Sequence, residues 1–149
     1  MMRHRTRIAV LCMAPVIMAA GPLPMDGPLV CSVTRAIECA SDLSCGAPEY
    51  LATPPSFIHV DVDNMAVTLL APEERRGEVS PINGVEQQDD RVLLTGIEGE
   101  RSWSMMILDD GAMSLTIAAE ESGFVVFGQC IPADQTRPPG TPNSPRSAT

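Results

Sequence analysis

Four cysteines, at positions 31, 39, 45 and 130, constrain this chain more than any other feature. They follow a stretch that reads as an export signal. An even cysteine count in a small exported domain implies a disulfide framework, with three possible pairings. Of these, we expect Cys39–Cys45, which closes the short loop CASDLSC, and Cys31–Cys130, which joins the start of the first strand to the end of the last. The chain-entropy argument assigns about 4.7 kcal/mol to closing a loop of about 100 residues and about 2 kcal/mol to the short one. Such staples matter in a globular part of about 105 residues, whose core is modest. There is no C-x-x-C, and the only histidine beyond the signal is His59. Neither a zinc centre nor a thioredoxin-type redox site is expected, and no cofactor.

The signal itself reads MMRHRTRIAVLCMAPVIMAAG. Arg3, Arg5 and Arg7 form a positive cluster, an uncharged run extends from Ile8 to Ala20, and small residues follow. That is the layout of a secretory leader, too short for a bilayer span of about 20 apolar residues. Neither Cys12 nor Cys31 follows the small residue of a lipoprotein signal, so no membrane anchor is expected. The domains are then a signal at 1–20, a single β domain at 21–131 and a disordered proline-rich tail at 132–149. The expected location is the periplasm of a bacterium or its medium. Beyond residue 20 there are seven arginines, no lysine and 19 acidic residues, a net charge of −12. That surface repels nucleic acid and anionic lipid and suits a basic envelope or secreted protein as partner. A monomer is expected.

Between the outer cysteines the chain alternates and turns like an antiparallel β protein. In FIHVDVDNMAVTLL, a turn at Asp63-Asn64 pairs Val62 with Met65, Val60 with Val67 and Ile58 with Leu69, which puts all six apolar residues on one face. In SWSMMILDDGAMSLTIA, a two-residue turn at Asp110-Gly111 pairs Leu108 with Met113, Met106 with Leu115 and Ser104 with Ile117. That register leaves Trp103, Met105 and Ile107 on the opposite face, either buried there or meeting a partner. Eight strands result, at 29–37, 57–62, 65–70, 77–83, 91–97, 101–108, 112–119 and 124–130, with Pro81 demoting the fourth to an edge or a bulge. An even number of strands in up-and-down order sets the first beside the last, which brings Cys31 to Cys130. The expected fold is all-β, a small antiparallel up-and-down barrel stapled by disulfides, with a two-sheet sandwich as the alternative.

His59, Asp61 and Asp63 share one strand face and are the only His–carboxylate set that could serve a metal or a hydrolase. The solvated face of a half-buried strand explains them as well. No G-x-S-x-G and no glycine-rich phosphate loop occurs. The paired acids fall at expected turns. Five aromatics are too few for sugar or single-stranded nucleic-acid platforms. An enzyme is not expected.

The frame from Cys31 to FGQC resembles small, uncharacterised exported bacterial proteins that end in a strand with Gly-x-Cys. The layout is also similar to the periplasmic inhibitors of C-type lysozyme, small eight-stranded barrels with a cysteine near each end. That resemblance implies a basic lysozyme-like enzyme as target. Where that family carries Ser-Gly-x-x-Tyr, this chain reads GVEQQDDRV, so no inhibitory residue carries over. The expected function is a non-enzymatic binding or interaction module. Its candidate contacts are the acidic loop Glu86, Asp89, Asp90 and Arg91, and an exposed patch of Trp103 and Met105. The alternatives are an inhibitor of a lysozyme-like enzyme, a carrier of a small apolar ligand in a lipocalin-type pocket, and a hydrolase or metal protein centred on His59.

Overall fold

Alternation of apolar and polar residues, broken by short polar turns, produces ten strands in a computed structural model that describes residues 27–48 and 55–136. In chain order they are β1 (Leu29–Ala40), β2 (Cys45–Gly46), β3 (Phe57–Asp61), β4 (Ala66–Ala71), β5 (Val79–Pro81), β6 (Gly84–Gln88), β7 (Arg91–Glu98), β8 (Arg101–Leu108), β9 (Ala112–Ala118) and β10 (Ser122–Pro132). Short 3-10 turns occupy Glu73–Arg75 and Ala133–Thr136. The expected signal at 1–20 lies outside the described residues, as do residues 49–54 and the expected tail from 137. The first part of the expected tail belongs to the fold: β10 runs to Pro132, and the Ala133 N–H donates to the Pro28 carbonyl at 2.9 Å.

The strands form a single antiparallel sheet, curled into a half-barrel, in the order β5-β4-β3-β1-β10-β9-β8-β7-β6, with β2 added beside β1. It is the expected up-and-down meander with first and last main strands paired, and not a two-sheet sandwich. Cys31 and Cys130 are direct partners in the β1–β10 ladder, and Cys39 and Cys45 in the β1–β2 ladder. Both expected disulfides form. Intramolecular bridges of this kind persist in oxidising surroundings, as in an exported protein.

The two edges of the sheet are joined by Ile82 and Asn83, between β5 and β6. Pro81 and Gly84 are therefore at most about 11 Å apart, so the curl brings the edges close together. The Ile82 N–H donates to the Met65 carbonyl on one side at 2.9 Å, and the Asn83 N–H to the Thr95 carbonyl on the other at 2.8 Å. Pro81 ends β5 at this edge, where a missing N–H is tolerated.

The β3–β4 hairpin keeps the expected register, with Val60 opposite Val67 and Ile58 opposite Leu69. Its turn differs in detail: Met65, not Asp63 or Asn64, takes the left-handed conformation, at φ 51°. The β8–β9 hairpin departs from expectation by one residue. Ile107 pairs with Met113, Met105 with Leu115 and Trp103 with Ile117. The cause is the turn. Gly111, at φ 86°, is a third loop residue and donates its N–H to the Leu108 carbonyl at 2.9 Å. A three-residue loop with glycine in the left-handed position replaces the two-residue turn. A slip of one position exchanges the faces of a whole strand. Trp103, Met105 and Ile107 therefore turn inward, and Met106 and Leu108 turn away from the core.

The buried side chains form one hydrophobic core. Cys31, Val60, Leu94, Met105, Ile107 and Cys130 are the most completely buried side chains. Each apolar one contributes roughly 1.5–3 kcal/mol relative to exposure. At one pole of the half-barrel the interior is not filled, although Trp103, Leu115, Ile117 and Phe124 border that space.

Candidate functional site

The unfilled pole holds a cavity of about 160 Å³. Its walls include Val33 and Ala36 of β1, Leu115 and Ile117 of β9, and Phe124 and Val126 of β10. The alternation of each strand directs these side chains inward. A β-bulge between Val33 and Arg35 in β1 shifts the pattern so that Val33 and Ala36, three apart, both pack against the core. Valine and alanine leave space that larger residues would occupy, and few aromatics are available to fill it.

Trp103, the only tryptophan, and Met105 also line the cavity. The indole lies directly against Gly96, its partner on β7, where a Cβ would strike the ring carbons Cε2 and Cζ2. Glycine is thus what lets the ring lie across the strand. The Trp103 Nε1–H is buried and has no hydrogen-bond partner among the described residues. A buried donor left unsatisfied costs about 1–3 kcal/mol.

Charged and polar groups from distant parts of the chain rim the cavity: Arg75, Glu78, Ser80, Glu98 and Arg101. Arg75 grips Glu78 through two guanidinium nitrogens, at 3.1 and 2.6 Å. This hydrogen bonding holds the Glu78 carboxyl below its usual range, helped by the positive charges of Arg75 and Arg101. The Ser80 hydroxyl donates to Glu98 at 2.5 Å. Arg101 forms no ion pair among the described residues.

Beyond the rim lies an open groove of about 670 Å³ between the β7–β8 and β9–β10 turns. Glu98, Arg101 and Phe124 line both the cavity and the groove, so the two spaces adjoin. The groove adds Glu100, Glu120 and Glu121.

The residues singled out from sequence do not meet here, with one exception. Trp103 and Met105, expected on an exposed patch, are buried in the interior at 9% and 1% exposure. The corrected hairpin register moves them, and both become cavity lining. The expected acidic loop is a hairpin: Glu86 sits within β6, paired with Leu93 of β7, and Asp89-Asp90 forms the turn. Arg91 binds the Asp90 carboxylate through two nitrogens, at 2.8 and 2.6 Å. That contact lowers the Asp90 carboxyl and raises the Arg91 guanidinium. On the outer face, His59 and Asp61 are half-buried and Asp63 is exposed in the turn. Both Asp61 oxygens accept from Asn64, from the backbone N–H at 3.0 Å and the side-chain amide at 2.7 Å, which lowers its carboxyl. Among the described residues, no three His, Cys, Asp or Glu side chains are grouped to hold a metal ion. No helix among them is long and apolar enough to cross a membrane.

Compared with known protein families, curated proteins and solved structures, the chain matches none. Its own geometry therefore carries the functional argument.

Proposed function

We propose that this protein is a non-catalytic binding module of the bacterial periplasm or medium that takes up a small, mainly apolar ligand in the cavity beside Trp103. The observation that carries this reading is an interior space lined by aliphatic side chains and left with an unsatisfied indole donor. Small barrels are filled by their own side chains unless they hold a guest. An engineered apolar cavity of about 150 Å³ takes up benzene, which sets the scale of the occupant. A guest carrying an acceptor would also relieve the cost of the unpaired Trp103 N–H. The rim of ion-paired and hydrogen-bonded groups keeps the mouth wet while the interior stays apolar, the usual division in a ligand site.

The single tryptophan makes the test direct. Titration with benzene or toluene is expected to shift Trp103 fluorescence saturably. Ala36→Leu, which adds volume to the wall, is expected to abolish the response while the thermal midpoint stays within a few degrees. A wild-type response that is absent, or that rises linearly without saturation, refutes the proposal whatever the variant does.

A further inference from the structure

We infer that the preferred occupant is a small amine whose apolar ring enters the cavity and whose ammonium group rests in the adjoining groove. This inference rests on the cavity reading above and adds the chemistry of the ligand's head. Two independent observations carry it. The first is the apolar cavity itself, whose walls of Val33, Leu115, Ile117, Val126 and the Trp103 ring suit an apolar body. The second is the charge just outside. Glu98, Glu100, Glu120 and Glu121 line the groove against a single guanidinium, Arg101.

A molecule held in the cavity must place its polar end where the two spaces adjoin, beside Glu98, Arg101 and Phe124. Four carboxylates and one guanidinium give that end a net negative potential, and a cleft concentrates such a field. Arg75 on the rim adds no second cation to the junction, because its guanidinium is paired with Glu78. Phe124 adds an aromatic ring at the junction, where a cation is attracted to the ring face. The chain-wide excess of acid favours a cation further and opposes a carboxylate. An anionic head would find only Arg101, with Glu78 and Glu98 on the same rim.

Three ligands of one shape separate the possibilities: benzylamine, benzyl alcohol and benzoate, each titrated against the full chain by Trp103 fluorescence at low and high salt. Benzylamine is expected to bind about fivefold to tenfold more tightly than benzyl alcohol at low salt, the scale of one or two partly exposed charge interactions. Benzoate is expected to bind more weakly than the alcohol. High salt should compress the three affinities toward one value, because exposed charges are screened. The double variant E120Q/E121Q should reduce the amine's advantage while leaving benzyl alcohol unchanged, which shows that the cavity is intact. Equal binding of amine and alcohol, or tightest binding of benzoate, overturns this inference and leaves the cavity reading standing. Binding of none of the three also overturns this inference, and the cavity reading then stands or falls on the benzene and toluene titration alone.

Discussion

The two disulfides should differ sharply in what they contribute, and the difference can be worked from their loops. Cys31–Cys130 spans 99 residues and Cys39–Cys45 spans 6. Closing a loop in the unfolded chain removes entropy that grows with the logarithm of loop length. The gap between the two bridges is therefore about 2.5 kcal/mol, from about 4.7 for the long loop and about 2.2 for the short. The pairs C31A/C130A and C39A/C45A test this, each leaving the other bridge intact. Urea unfolding is the assay. With a slope of about 1–3 kcal/mol per molar, the long-bridge variant should unfold about 0.8–2.5 M earlier than the short-bridge variant. Cys31 and Cys130 are buried in the core and Cys45 is exposed, so packing losses widen the gap. Against a typical total of about 5–15 kcal/mol, loss of the long bridge leaves the fold near its limit. Equal midpoints, or a short-bridge variant that unfolds first, would refute the loop argument. The stabilisation would then reside in local contacts of the folded state.

Gly96→Ala places a methyl group against the Trp103 ring and the Pro81 carbonyl, and overpacking of this kind should cost about 1–3 kcal/mol. Urea melts read the loss, and an unchanged midpoint contradicts the packing described. Asn64→Ala removes the side-chain amide that chiefly lowers the Asp61 carboxyl below 3.8. A carboxylate held below its unfolded value contributes stability above that value and loses it as pH falls through the folded one. The variant should therefore melt below wild type at pH 6, with the gap narrowing by pH 2.5; a gap that widens in acid reverses the sign.

Legibility follows the physics of each segment. The β3–β4 hairpin is readable because turn residues and apolar alternation select the same register. The β8–β9 hairpin misleads because both of its faces carry apolar residues, so burial cannot arbitrate between registers one residue apart. Only the loop length decides, and Asp-Gly serves both the two-residue and the three-residue turn. The polar run GVEQQ lacks the alternation of a half-buried strand, and β6 is hidden for that reason: most of its side chains are exposed. The bridge between Cys31 and Cys130 is readable because β5 and β6 run in the same direction and count as one bent strand, which leaves an even meander with its last strand beside its first. The cavity is not. A void depends on the summed volume of side chains from several strands, and its rim draws on residues as far apart as Arg75 and Arg101. The one local sign is a valine and an alanine three apart in β1, a break in period that marks the bulge.

Pairing of β1 with β10 also orders events during biosynthesis. Cys39 and Cys45 emerge soon after Cys31, whereas its true partner comes 99 residues later. At about 5–20 residues per second, that interval is roughly 5–20 s. Throughout it, the early thiol has two nearby wrong neighbours and no right one, and neither flank of the nascent first strand has a finished sheet to join. An oxidant alone would trap such intermediates. A wrong bond formed in that interval reaches the native pairing only by thiol–disulfide exchange once Cys130 has arrived.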